Sequence, residues 1–142
     1  MNSLTVNDLT IGYSASFTKT VSETDLYLFA GVSGDFNPAH VNKVHAAGNR
    51  FGERIAHGIL GASFISTVIG MYLPGAGAIY LGQELHFRAP ILIGDTITAT
   101  ATVVEIDVPK NRIKLETVLT NQNGVAVTTG FASVMCPTES VQ

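Results

Sequence analysis

The chain is predicted to adopt an α+β fold, a curved antiparallel sheet with one long helix lying in its concave face. Residues 58–73, "GILGASFISTVIGMYL", are apolar nearly all round, as a helix enclosed on most sides must be. Alternation of apolar and polar residues begins at residue 78 and runs, broken only by turns, to residue 135. A helix and the inner face of a sheet each need apolar cover, and each can provide it for the other.

The elements follow in order. In "SASFTKTV", residues 14–21, Ala15, Phe17 and Val21 fall on one side and Ser14, Ser16, Thr18 and Thr20 on the other, which is a half-buried strand. Ser22 with Asp25 three residues on has the form of a capping box; Leu26, Phe29 and Ala30 continue at helical spacing until Gly34 interrupts. After the long helix, "AIYLGQELHFR" places Ile79, Leu81, Leu85 and Phe87 on a face that should be buried. In "DTITATATVVEIDV" the apolar face sits on Ile97, Ala99, Ala101 and Val103 and then shifts to Val104, Ile106 and Val108, a phase slip that predicts a bulge or strong bend. Turns at "PKNR" (109–112) and "NQNG" (121–124) separate the last strands. The predicted order is strand, helices, then four strands in a meander.

Length and composition narrow the function classes. The 142 residues make one domain of ordinary size, taken as residues 1–142, with a real core and no room for a second. Only 13% of residues are charged, few for a lone surface, which points to an oligomer. A net charge of −3 with no basic cluster argues against nucleic acid as a partner. The single Cys136 cannot form an intrachain disulfide, no Cys/His spacing resembles a structural zinc site, and the amino end lacks the form of an export signal, so a cytoplasmic protein is expected. The segment 55–83 carries no Asp, Glu, Lys or Arg and is long enough to cross a bilayer. His57, Ser63, Ser66 and Thr67, the break at "PGAG" (74–77) and the return of period-two alternation favour a buried helix followed by a strand, with no membrane partner.

One stretch concentrates polar chemistry. "SGDFNPAH", residues 33–40, packs Asp35, Asn37 and His40 around a glycine and a proline. Read locally it is a turn: Gly34 ends the preceding helix, Asn-Pro disfavours helix at Asn37, and Asp35 can hydrogen-bond the turn backbone. Its company argues for more, because the chain continues through "RIAHG" (54–58) into the apolar helix and then into "GAIYLGQELHFRAPILIGD".

From about Thr24 to Pro137 this order resembles the R-specific enoyl-CoA hydratases, or MaoC-like dehydratases, which adopt the single hot-dog fold. Their "SGDxNPxH" segment, with Asp and His five positions apart, is matched without departure. Where that family commonly has an acidic residue two positions after the His, this chain has Asn42, and either can cap the short helix that begins there. The resemblance implies reversible addition of water across the double bond of a trans-2-enoyl thioester. Asp35 is then the base that takes a proton from water, and His40 holds the same water, one ring nitrogen donating and the other accepting, and helps pass a proton to C2. The thioester oxygen needs a donor placed in advance; the Gly58 backbone N–H, at the positive end of the long helix and free of a side chain, can provide it.

Other residues are weighed beside these. Asn37 fixes the loop more naturally than it touches substrate, and with Ser66 it makes up the substrate-binding candidates. Ser66 matches a polar position lining the acyl pocket of the resembled family, against the alternative of a mid-helix serine bonding its own backbone. His57 either caps or braces the helix start or meets ligand, and stays outside the catalytic set. His45 and His86 read as surface residues. Arg50, Arg54, Arg88 and Lys110 could meet CoA phosphates, though solvated charge is the default for each. No metal or cofactor is called for. The expected partners are an acyl thioester, on CoA or acyl carrier protein, with short or medium chains by resemblance, and a second copy of the chain, since the family joins two such sheets. A hot-dog thioesterase and a non-catalytic acyl-thioester binding subunit are the competing readings. Thioesterases of this shape commonly draw a carboxylate from the central helix, and residues 58–73 contain none; a binding module would need no Asp–His pair.

Overall fold

Alternation at the amino end becomes β1 (Ser14–Thr20), with Ala15 and Phe17 turned inward and the serines and threonines outward, in a computed structural model that describes residues 1–139. A 3-10 turn at Val6–Asp8 precedes it. The expected capping box starts α1 (Glu23–Ser33): the Asp25 N–H donates to Ser22 Oγ at 3.2 Å and the Ser22 N–H to Asp25 Oδ2 at 2.9 Å. Gly34, in the left-handed region at φ 80°, ends α1 and turns the chain sharply into the polar stretch. Two short helices follow, α2 (Pro38–Val41) capped by Asn37 and α3 (Lys43–Ala46) capped by Asn42. Asn42 thus does the capping expected of it, accepting from the His45 N–H at 3.0 Å.

The apolar run forms α4 (Gly58–Met71), two residues shorter than its pattern. Leu60, Phe64, Ile65, Val68 and Ile69 are buried against β3, β4 and β5, each such side chain contributing about 1.5–3 kcal/mol. Phe64 also meets Phe17 of β1 edge to face at 5.7 Å. The helix and the 88–95 segment approach closely at Gly61, where an added Cβ would stand 2.5 Å from Ile91 Cδ1. Contrary to expectation the helix is not enclosed on most sides: Ile59, Ser63, Ser66 and Gly70 make an exposed face.

The remaining strands are β2 (Ile79–Phe87), β3 (Thr96–Asp107), β4 (Arg112–Thr120) and β5 (Ala126–Met135). All pairings are antiparallel, in the order β1-β3-β4-β5-β2. The predicted bulge exists, since Val103 faces Leu115 while Glu105 faces Lys114 and Val104 is the extra residue. The predicted four-strand meander does not. Only β3, β4 and β5 follow one another; β2 lies against β5 at the far edge, and residues 88–95 carry the chain across to β3. Nor is the apolar face of β2 buried: Ile79, Leu81 and Phe87 are exposed and only Leu85 packs against the core. A second bulge at Leu81 and the edge position together account for this. Among the described residues, no helix is long and apolar enough to cross a membrane.

Candidate active site

The turn after α1 and the start of α4 meet at one place. The Asp35 N–H donates to Ser33 Oγ at 3.1 Å, and Asp35 Oδ1 accepts from the Asn37 N–H at 3.1 Å. Asn37 Oδ1 in turn accepts from the Ala39 N–H at 2.9 Å, so Asn37 holds the loop and starts α2, which gives His40 its place. The local turn reading of these residues is therefore true, and it leaves one oxygen over. Asp35 Oδ2 faces His40 Nε2 at 4.0 Å, too far for a direct hydrogen bond.

The tautomer of His40 follows from its other nitrogen. Nδ1 lies 2.7 Å from the Ile55 carbonyl oxygen, which can only accept, so Nδ1 carries the proton and Nε2 of the neutral ring presents a lone pair. Two acceptors thus face one gap. The Asp35 side chain is 51% exposed and that of His40 only 12%, so the gap opens to solvent on the carboxylate side.

His57 is the residue that sequence reasoning underrated. It is the N-cap of α4 but makes no side-chain cap; instead its Nε2 donates to the Asp35 carbonyl oxygen at 2.9 Å. Its ring stacks on His40 with centroids 3.8 Å apart and leans on Phe29 at 4.8 Å. The residue is 3% exposed, and its Nδ1 is buried with no hydrogen-bond partner among the described residues. His57 thereby ties the Asp35 turn to Gly58, the next residue. Asp35, His40 and His57 each offer an atom within 4.8 Å of the others, the spacing of a metal ligand set. One nitrogen of each ring is already bound to a carbonyl and the stacked rings are only 28° from parallel, so their lone pairs lie in separate planes rather than converging.

Gly58 opens α4, and among the described residues nothing accepts its N–H. A Cβ there would stand 2.7 Å from the Phe87 ring, so glycine permits the end of β2 to close on the helix start. Beside Gly58 lies a cavity of about 430 Å³ between α4, the end of β2 and residues 50–56. Ser66, exposed on the open face of α4, does not line it. Nor does Arg54, which donates to Glu23 Oε1 at 2.7 Å and to Tyr27 Oη at 2.9 Å. Its guanidinium holds the Glu23 carboxyl below the usual range. His45 and His86 are exposed, as expected.

Comparison with known proteins gives this geometry its relatives. The chain is 52% identical to an (R)-specific enoyl-CoA hydratase of Rhodospirillum rubrum over 130 residues, 92% of this chain and 90% of that one. It is 43% identical to a 3-hydroxybutyryl-CoA dehydratase of Methylorubrum extorquens over 108 residues, 76% of this chain and 69% of the relative. The unliganded R-hydratase PhaJ1 of Pseudomonas aeruginosa superimposes with a TM-score of 0.93 at 43% identity, over 98% of this chain and 89% of that one, which establishes the hot-dog fold. With residues 7–125 matching the family described as MaoC like domain, the chain belongs to that family.

Proposed function

We propose that the chain is a hydro-lyase that adds water reversibly to a trans-2-enoyl-CoA to give an (R)-3-hydroxyacyl-CoA, with Asp35, His40 and Gly58 as its catalytic groups. The observation that carries this reading is the pair of acceptors, Asp35 Oδ2 and His40 Nε2, 4.0 Å apart. One water beside their midpoint reaches both and gives each a hydrogen, which leaves its own lone pair free to attack C3. Asp35 takes a proton as the C3–O bond forms. The electron pair of the double bond moves onto the thioester oxygen, where the Gly58 N–H and the positive end of α4 meet it. The Asp35–His40 pair then returns a proton to C2, so one water is consumed and the pair ends as it began. In this reading His40 donates from Nδ1 to the Ile55 carbonyl and accepts from the water at Nε2, an assignment that the 2.7 Å contact to Ile55 supports.

The same reading takes residues 1–142 as one domain in a cytoplasmic homodimer. The lone buried thiol of Cys136 suits a reducing compartment. Exposed Ile79, Leu81 and Phe87 on edge strand β2, with the open face of α4 carrying Ile59 and Ser66, give a second copy apolar surface to cover and leave Ser66 able to reach an acyl chain lying between subunits. Light scattering at micromolar concentration tests the dimer, and a monomer would remove this part of the proposal.

The reaction is tested with crotonyl-CoA and no added metal or nucleotide, following two signals. Hydration lowers the enoyl-thioester absorbance while the thioester survives, and chiral analysis should find the R product. Thiol release matching substrate loss would make the protein a thioesterase, a reading against which α4 already argues by carrying no carboxylate.

A further inference from the structure

Arg54 stands directly before the residues that hold the site together, yet its side chain is engaged on another element. Nη2 donates to Glu23 Oε1 at 2.7 Å and Nη1 to Tyr27 Oη at 2.9 Å, while the Tyr27 hydroxyl itself donates to Glu23 Oε1 at 2.8 Å. Glu23 and Tyr27 lie one turn apart on α1, so a single guanidinium fork spans both. The Arg54 side chain is only 11% exposed, although that of Glu23 is 52% exposed. An ion pair with a half-exposed partner adds little to stability. A planar fork held by two acceptors does fix a direction.

What Arg54 directs is the next residue. Ile55 brackets α2, its N–H donating to the Ala39 carbonyl at 3.2 Å and its own carbonyl accepting from His40 Nδ1 at 2.7 Å. On the other side of Arg54, residues 47–53 are irregular and mostly exposed, with Gly52 at φ 75°, and make a poor anchor. We infer that Arg54 is a positioning residue, whose fork on Glu23 and Tyr27 fixes the Ile55 carbonyl and, through it, the ring of His40. The inference rests on the enoyl-thioester reading and adds a remote residue to its machinery. The imidazole is rigid, so a shift of the carbonyl at Nδ1 swings Nε2 across the 4.0 Å gap to Asp35 Oδ2. A water shared by both acceptors tolerates little of that swing. Both sides of the gap depend on α1: its first turn carries Glu23, its end leads through Gly34 to Asp35, and Phe29 between them leans on His57 at 4.8 Å. Arg54 thus sets the segment that bears the His40 acceptor against the helix that leads to the base. It lies outside the cavity beside Gly58, and its route to the reaction is through Ile55.

Two measurements on the full chain test this: kinetics with crotonyl-CoA, and ring-nitrogen NMR of isotope-labelled histidines, with His40→Gln assigning the His40 signals. Arg54→Ala should lower kcat about tenfold with KM changed less than about twofold, and should shift or broaden the His40 Nδ1–H signal. Arg54→Lys, a point charge without the planar fork, should recover part of both. The double variant Glu23→Gln with Tyr27→Phe leaves Arg54 in place and alters only exposed groups, so it keeps the fold; its kcat should fall about threefold with the same signal displaced. Wild-type kcat or an undisturbed His40 signal in Arg54→Ala overturns the inference, as does a fall in kcat that only matches loss of folded protein. If Arg54→Ala does not fold, the same results in the double variant decide. If the wild-type protein hydrates no enoyl thioester, the functional reading fails and the His40 signal of the double variant decides alone: displaced, it retains the positioning role, and undisturbed, it removes it.

Discussion

Replacing Asp35 by Asn separates the two roles that the loop geometry gives this residue. Oδ1 belongs to the turn, accepting from the Asn37 N–H at 3.1 Å, and an asparagine oxygen can take over that bond. Oδ2 is the oxygen facing His40 Nε2, and in the variant an NH2 group stands there, a donor where water needs an acceptor. Losing a general base removes about two to four orders of magnitude in rate, or about 2.7–5.5 kcal/mol of barrier. Stability should hardly respond. The side chain is half exposed and its turn bond survives, so the change should stay within about 0.5 kcal/mol, roughly 1–2 °C in Tm. Enoyl-thioester absorbance with crotonyl-CoA measures the first quantity and circular dichroism melting the second, and the loss should fall on kcat more than on KM. A variant keeping a tenth or more of wild-type kcat while melting several degrees lower would refute the catalytic assignment and leave Asp35 as a turn residue only.

Three further outcomes follow from contacts around the same site. His57→Phe keeps the ring stack on His40 and loses the bond to the Asp35 carbonyl, so kcat for crotonyl-CoA should fall about tenfold with KM little changed; wild-type kcat would show the bond to be idle. Gly58→Ala puts a Cβ 2.7 Å from the Phe87 ring, and the exposed ring must swing toward the cavity, so kcat/KM should drop at nearly constant Tm; unchanged kinetics would mean that substrate passes elsewhere. Burial pushes the Cys136 thiol up to about 11, so at pH 8 it stays protonated and should react with a colorimetric thiol reagent only after denaturation; rapid native labelling would contradict that burial.

Local signals in the sequence were faithful, and long-range ones were absent. The Ser22–Asp25 box, Gly34 as a stop and the phase slip at Val104 are each decided by residues within a few positions, and each appears where its pattern predicts. The partner of β2 is decided elsewhere. Its pairing to β5 requires Gly130, because a Cβ there would lie 1.8 Å from the Glu84 carbonyl oxygen, and nothing near residue 130 announces that use of glycine. The alternation of Ile79, Leu81, Leu85 and Phe87 reads equally well for a strand buried inside a sheet and for an edge strand keeping apolar surface for a partner. Periodicity reports that a face is apolar; it does not report what covers it.

The site divides along the same line. Asp35 and His40 were legible because a turn and one short helix link them, so five residues of sequence nearly determine their separation. The function of His57 is tertiary: it donates to a carbonyl 22 positions away and stacks on a ring 17 positions away, and its own neighbours, Ala56 and Gly58, say only that a helix begins. That bond joins the His40–Ile55 bond and the ring stack in holding the Asp35 turn against the start of α4. Among the described residues His57 Nδ1 is a buried acceptor with no partner, and such an atom costs about 1–3 kcal/mol of lost hydration. A cap residue chosen for stability alone would be Ser, Thr or Asp, whose side-chain oxygen accepts from the N–H of the second or third helical residue. Histidine at position 57 forgoes that bond and spends its ring on the Asp35 carbonyl instead, which fixes the Asp35 turn beside the Gly58 N–H, for which no acceptor stands among the described residues.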